Sequence, residues 1–402
     1  MAEPPDAGLT LRERDQHLFS PGPKRILALD GGGTRGIISI AFLERLEAVL
    51  RARHPDRQGL RLSDYFDLIG GTSTGAIIAA GLALGMEVAE VKRIYTELAP
   101  RVFRRSAWRA WALQARFSDA PLVALLRDHL GHRTMDSPDL KTGLAVLTKR
   151  LDTGSPWVVS NSPGAMYWDT LPGRGFTGNR HYDLATLVRA STAAPFFFRP
   201  ERIAVMPGEP DGLFIDGGVS PHNNPALMLL MLATMKAYGL CWQLGSRKLF
   251  MASVGTGEFR VRLGPWAVLT RTALGLAGHA LTGLISDSQL MTLTMMQWLS
   301  EGRTPWTVNS EVGDLRGETL GGVPLLAFER FNVRMEEAAL QAAGEVVGTR
   351  DLAGLRDMTS VAGMDENYRI ATRAARLQVT EDRLPPEFDL PPRHTEAIDT
   401  PG

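Results

Sequence analysis

Three short stretches of this 402-residue sequence carry residue types whose order can do chemistry. The first is Ile26-Leu27-Ala28-Leu29-Asp30-Gly31-Gly32-Gly33-Thr34-Arg35-Gly36. Its four apolar residues read as a buried strand, and the apolar residues beyond Gly36 (Ile37, Ile38, Ile40, Ala41, Leu43, Leu46, Val49, Leu50) recur at helical spacing. Glycines between a strand and a helix let the backbone approach a ligand with several free N–H groups aimed the same way. Such a loop holds negative charge, either a phosphate or the oxyanion of an acyl-transfer intermediate. The loop alone does not choose between them.

The second stretch is Gly71-Thr72-Ser73-Thr74-Gly75, set between the apolar run Phe66–Ile69 and an apolar helix predicted from Thr74 to Leu84. A serine between two glycines at a strand-to-helix turn exposes its hydroxyl at the positive end of the helix dipole. The same pattern also suits a plain helix-capping serine. A nucleophilic serine needs a base, commonly a histidine held by a carboxylate. None of the eight histidines stands at an obvious strand end in a suitable order, although His222 stays open. The third stretch, Leu213-Phe214-Ile215-Asp216-Gly217-Gly218-Val219, supplies a better candidate. Asp216 ends a predicted strand and is followed by two glycines, where it would face a crevice at the sheet end. Asp-Gly is also an ordinary turn signal.

The elements that must position these residues alternate along the chain. Ile26–Leu29, Phe66–Ile69, Leu144–Leu147, Trp157–Val159, Leu213–Ile215 and Lys248–Val254 read as strands, with helical patterns between several of them. That alternation predicts an α/β fold. Arg101–Phe117 fits it poorly, mixing five arginines with Trp108 and Trp111. It reads either as a helix at a bilayer surface or as a covering helix whose indoles pack on the core. Trp266–Leu299, rich in Leu, Thr and Met, reads as a lid or as a helical core layer. Residues 1–23 and 380–402 carry Pro and charge and are expected to be a flexible leader and a disordered tail.

Basic and acidic side chains balance at 44 each, so long-range attraction to a nucleic-acid polymer is not indicated. The single cysteine, Cys241, excludes an internal disulfide and argues against a cysteine-based zinc site. No secretory leader and no membrane-spanning run is visible, so a cytoplasmic chain is expected, with peripheral membrane contact open.

Taken together, Asp-Gly-Gly-Gly-x-Arg-Gly at 30–36, Gly-x-Ser-x-Gly at 71–75 and Asp-Gly-Gly at 216–218 resemble the patatin-like phospholipases. Leu151–Gly154, Arg189–Pro195 and Ser253–Gly257 agree, so the resemblance covers about residues 24–257. It implies a three-layer fold, with a central, mostly parallel sheet between helices, and a bacterial lipid acyl hydrolase domain over 24–335. Residues 258–335 would be a helical extension or lid, and 336–379 a C-terminal helical segment. By resemblance, Ser73 is the nucleophile of a Ser–Asp dyad and Asp216 its proton acceptor. Gly31, Gly32, Gly33 and Arg35 form the oxyanion loop, in which the backbone amides of Gly31–Gly33 stabilise the oxyanion and Arg35 orients the loop or binds substrate phosphate. Asp30, Gly36, Gly71, Gly75, Gly217 and Gly218 support these motifs. No metal and no cofactor is implied. The substrate would be a phospholipid or other acyl-ester lipid, with Arg101–Phe117 as a membrane contact. A cyclic-nucleotide activator is a regulatory input some members of the family use. The alternative resemblance is to ATP-dependent sugar kinases of the actin-like superfold, which also open on Asp-Gly-Gly-Gly-Thr but lack the later motifs.

Overall fold

The structure is a computed structural model, and it describes residues 11–103, 117–170, 175–259, 273–345 and 348–392. Nine strands form one sheet: β1 (Lys24–Leu29), β2 (Leu68–Thr72), β3 (Gly143–Arg150), β4 (Pro156–Ser160), β5 (Glu201–Ile203), β6 (Gly212–Asp216), β7 (Leu249–Val254), β8 (Ser300–Glu301) and β9 (Leu326–Phe331). Their spatial order is β5-β6-β3-β2-β1-β7-β9-β8, with β4 paired to β3. The run from β3 to β8 is parallel throughout, whereas β4, β5 and β6 pair antiparallel. A mostly parallel sheet with both faces covered is therefore what forms, as expected.

Every residue of β1 is buried, because the sheet is covered on two sides. Alternation along the strand sorts its side chains. Leu27 and Leu29 join a cluster with Ile37, Ile40 and Leu43 of the helix Gly36–Arg53. Ile26 and Ala28 join a second cluster with Leu229 and Leu232 of the helix Ala226–Thr234 and with Leu293 and Met296 of the helix Ala273–Trp298. Two apolar layers back to back across one sheet make the three-layer arrangement.

The termini depart from expectation. Glu13–Phe19 is a helix whose Leu18 is buried, and the Leu18 carbonyl accepts from the Trp242 indole at 2.9 Å. Residues 380–392 are also seated: Phe388 is fully buried against Phe250, and Arg383 pairs with buried Glu329 at 2.6 Å. One large apolar side chain and one satisfied charge anchor a segment whose average composition reads as disordered. Residues 1–10 and 393–402 lie outside the described set, as does most of the Arg/Trp-rich stretch, from 104 to 116. Residues 336–379 contain the helices Glu337–Ala342, Thr349–Arg356 and Met364–Gln378.

Candidate active site

Strand register brings the serine and the aspartate together. On β3, β4 occupies one edge over Ala145–Lys149, so β2 and β6 share the other. β2 runs along that edge up to Thr72, opposite Leu147. β6 arrives from the opposite direction and ends at Asp216, opposite Thr148, the next residue. The two strands meet head to head, which sets the residue after β2 beside the last residue of β6. Accordingly Ser73 Oγ donates to Asp216 Oδ2 at 2.6 Å.

Ser73 sits at φ 55°, ψ −122°, a conformation rare for a residue with a side chain. It turns the chain from β2 into the helix Thr74–Ala83 and leaves the hydroxyl at the bend. The turn closes only because its flanks are glycine. A Cβ at Gly71 would lie 2.1 Å from the Gly75 carbonyl oxygen, and one at Gly75 would lie 2.2 Å from that of Leu29. The Ser73 amide donates to Ser191 Oγ at 2.8 Å, and Ser191 in turn donates to the Leu147 carbonyl at 2.6 Å. The bend is thereby tied back to β3.

Asp216 is buried, and its second oxygen accepts from the Gly218 amide at 2.6 Å. Burial pushes its pKa up to about 6, against the opposing pull of the Ser73 hydroxyl, the Gly218 amide and the Arg189 charge. A carboxylate in that range is ionised at neutral pH yet far more basic than an exposed one. His222, the other base left open by sequence, is not paired with Ser73; its backbone carbonyl accepts from Thr72 Oγ1 at 2.6 Å.

The glycine loop lies against this pair, with the position of a Gly31 Cβ only 3.2 Å from that of Ser73. Its three amides are not equivalent. Gly31 N–H donates to the Asn223 carbonyl at 3.0 Å, so it is spent on structure. The amides of Gly32 and Gly33 have no hydrogen-bond partner among the described residues, and both glycines line the cavity over Ser73. Gly33 takes φ +58° and leaves 2.2 Å between a Cβ and the Met358 carbonyl oxygen, so no side chain fits. That carbonyl also accepts the Thr34 amide at 2.8 Å.

Arg35, grouped with the loop by sequence, reaches elsewhere: its guanidinium donates to the Gly257 carbonyl at 3.4 Å and lies over the Phe259 ring. Asp30 forms a two-pronged ion pair with Arg330, at 2.9 and 2.6 Å, that anchors the start of the loop. Gly36 opens the following helix beside Thr74, and Gly217 packs on the Leu147 carbonyl. Ser191 and Thr256 lie in stretches that agree with the family resemblance, but nothing in the local sequence assigns either a task. Thr256 Oγ1 donates to the Gly31 carbonyl at 2.9 Å. Asn223, Arg330 and Met358 gave no local signal at all.

Ser73, Asp216, Gly32 and Gly33 open into a cavity of about 460 Å³ whose far walls are apolar, including Ile77, Leu98, Phe198 and Ile285. The helix Ala273–Trp298 contributes Ile285, Ser286 and Gln289 to that cavity while burying Leu293 and Met296 in the core. It is wall and core layer together. Among the described residues, no group of three or more His, Cys, Asp or Glu side chains could hold a metal ion.

The family model for patatin-like phospholipases matches residues 27–230. The chain belongs to that family. Similar members include a cUMP-AMP-activated phospholipase of Escherichia coli, 35% identical over 52% of this chain and 59% of its own length. A cGAMP-activated phospholipase of Escherichia coli (strain TW11681) is 30% identical over 52% of this chain and 55% of its own. Patatin-17 of Solanum cardiophyllum is 28% identical over 58% and 60%. The patatin-like chain thus spans less than two thirds of the relatives it matches, and its described helices include none long and apolar enough to cross a membrane.

Proposed function

We propose that this chain is a serine acyl hydrolase that cleaves acyl esters of phospholipids or lysophospholipids through a Ser73–Asp216 dyad. The observation that carries the reading is the 2.6 Å hydrogen bond from Ser73 Oγ to a buried carboxylate at the floor of an apolar cavity. Ser73 Oγ attacks the ester carbonyl carbon as its proton passes to Asp216 Oδ2. The carbonyl oxygen becomes an oxyanion facing the unpaired amides of Gly32 and Gly33, and removing one such donor typically costs about 3–4 kcal/mol of transition-state stabilisation. Collapse expels the alcohol, which takes the proton from Asp216, and leaves an acyl group on Ser73. Water, deprotonated by Asp216, repeats the sequence and releases the fatty acid. The apolar walls suit an acyl chain. A serine-directed fluorophosphonate should label wild type and not Ser73→Ala; equal labelling of both would overturn the assignment.

A second reading concerns control, and the relatives named as cGAMP- and cUMP-AMP-activated phospholipases favour it. The same hydrolase would be switched on by a cyclic oligonucleotide. Lipid hydrolysis by the purified chain should rise on adding cGAMP or cUMP-AMP, and identical rates with and without either would remove the idea.

A further inference from the structure

The cavity over Ser73 is lined by two unlike sets of side chains. Its polar lining gathers at Phe259, where the Arg35 and Arg356 guanidinium groups both lie over the ring. Its apolar lining gathers along the helix Val88–Val102 and at a group of phenylalanines. Tyr95, Leu98 and Val102 recur at helical spacing, so they share one face of that helix, and all three line the cavity. Tyr95 marks the end at the glycine loop, because its hydroxyl donates to the Gly33 carbonyl.

The other end is closed by aromatic rings. Phe103, the C-cap of the helix, lines the cavity together with Phe197 and Phe198. Behind them stands Phe117, fully buried and in ring contact with all three at centroid distances of 5.5, 5.9 and 5.9 Å. Phe103 also meets Phe198 at 6.3 Å, and the Phe117 amide donates to the Phe197 carbonyl at 2.9 Å. Rings interlocked in this way do not yield to a ligand as a lone flexible side chain would. Leu98, Val102, Leu122 and Phe198 are buried, so hydrocarbon placed among them leaves water.

The helix supplies a length scale. From Tyr95 to Val102 it rises about 10 Å, at about 1.5 Å per residue. An extended hydrocarbon chain advances about 1.3 Å per carbon, given a C–C bond of about 1.5 Å. A chain that starts at the glycine loop therefore meets the rings after about eight carbons.

We infer that Phe103, Phe197 and Phe198, backed by Phe117, form the floor of an acyl pocket and set the acyl-chain length that this site selects. The inference rests on the acyl-hydrolase reading above and gives that site a specificity determinant. Each carbon up to the floor is taken out of water, and carbons beyond it gain no further burial.

The test uses soluble p-nitrophenyl esters from butyrate to dodecanoate, kept below aggregation, with wild type, Phe103→Ala, Phe103→Trp and Phe198→Ala. Its readout is kcat/KM for each ester relative to butyrate in the same protein, so a uniform loss of rate cancels. In wild type the ratio should rise about threefold to fourfold per added carbon, up to about eight carbons, and then level off. Phe103→Ala and Phe198→Ala open space beyond the floor and should move the break to chains longer by about two carbons or more. Phe103→Trp adds bulk and should move it to shorter chains. Phe103 is only half-buried, so its two variants decide the matter even where Phe198→Ala does not fold. A break at the same carbon in wild type, Phe103→Ala and Phe103→Trp would overturn the floor. So would a wild-type ratio that keeps rising through dodecanoate. Failure of wild type to cleave any ester of the series would instead defeat the acyl-hydrolase reading itself.

Discussion

A carboxylate that takes a proton from serine works best when its own pKa lies just below the working pH, and burial brings Asp216 to about 6. On a soluble ester, log kcat/KM should therefore rise with unit slope up to about pH 6 and then level off. A flat profile down to pH 4 would mean that some other group accepts the proton. The same shift makes a stability statement. Because the folded pKa is raised, the contribution of Asp216 to stability is fully present below the unfolded value near 4 and is lost as pH rises through about 6. Asp216→Asn should thus lower activity by about 10²–10⁴-fold. It should also raise stability at pH 7 by about 3 kcal/mol, with little gain at pH 4. Urea unfolding of both proteins at the two pH values checks this. Ser73 and Asp216 were legible in sequence because each ends a strand beside glycines. The inequality among Gly31, Gly32 and Gly33 was not, because Asn223, which occupies the Gly31 amide, stands 192 residues away.

At the scale of elements, β3 is the ruler on which the dyad is measured. β2 stops opposite Leu147 and β6 opposite Thr148, so a slip of either strand by one residue separates Ser73 from Asp216 and turns alternate side chains to the wrong face. Gly75 is one of the two tight points of that assembly, with Gly71. Gly75→Ala would force a methyl onto the Leu29 carbonyl oxygen, 2.2 Å away, and backbone cannot yield as a side chain can. It should destabilise the chain by at least about 1–3 kcal/mol and lower kcat, as thermal melts and ester kinetics would report. Wild-type melting and rate would show that the turn has more room than the structure gives it. Most strands were legible as apolar runs. β9 was not, since Leu326-Ala327-Phe328-Glu329-Arg330-Phe331 places two charges inside a buried strand. Those charges are tolerated because Arg383 and Asp30, remote in sequence, neutralise them. β5 and β8 are three and two residues long, too short to show a period.

At the scale of the molecule, the C-terminal third closes a site whose proposed nucleophile and base, Ser73 and Asp216, come from the first 216 residues. Arg330 holds Asp30, the Met358 carbonyl holds the Thr34 amide, and Arg53 grips Asp389 at 3.0 Å. The glycine loop is therefore fastened by the C-terminal third through Arg330 and Met358, so activity and global stability should fall together when those ties are cut. Arg330→Gln leaves Asp30 buried without its partner and should cost about 3–5 kcal/mol, with reduced kcat in whatever remains folded. The exposed Arg316→Gln serves as the control and should change stability by less than about 1 kcal/mol. Equal melts for the two variants would show that Asp30 finds another partner. Composition could not reveal these fastenings, since the segments that make them read as loose until one buried side chain such as Phe388 is seen to dock.

The most direct test of the central claim is product analysis by mass spectrometry after incubating phospholipid with wild type, Ser73→Ala and Asp216→Ala. Wild type should release free fatty acid with the matching lysophospholipid and carry a transient acyl adduct on Ser73, while both variants release none above background. Fatty acid appearing at the wild-type rate from Ser73→Ala would contradict the account.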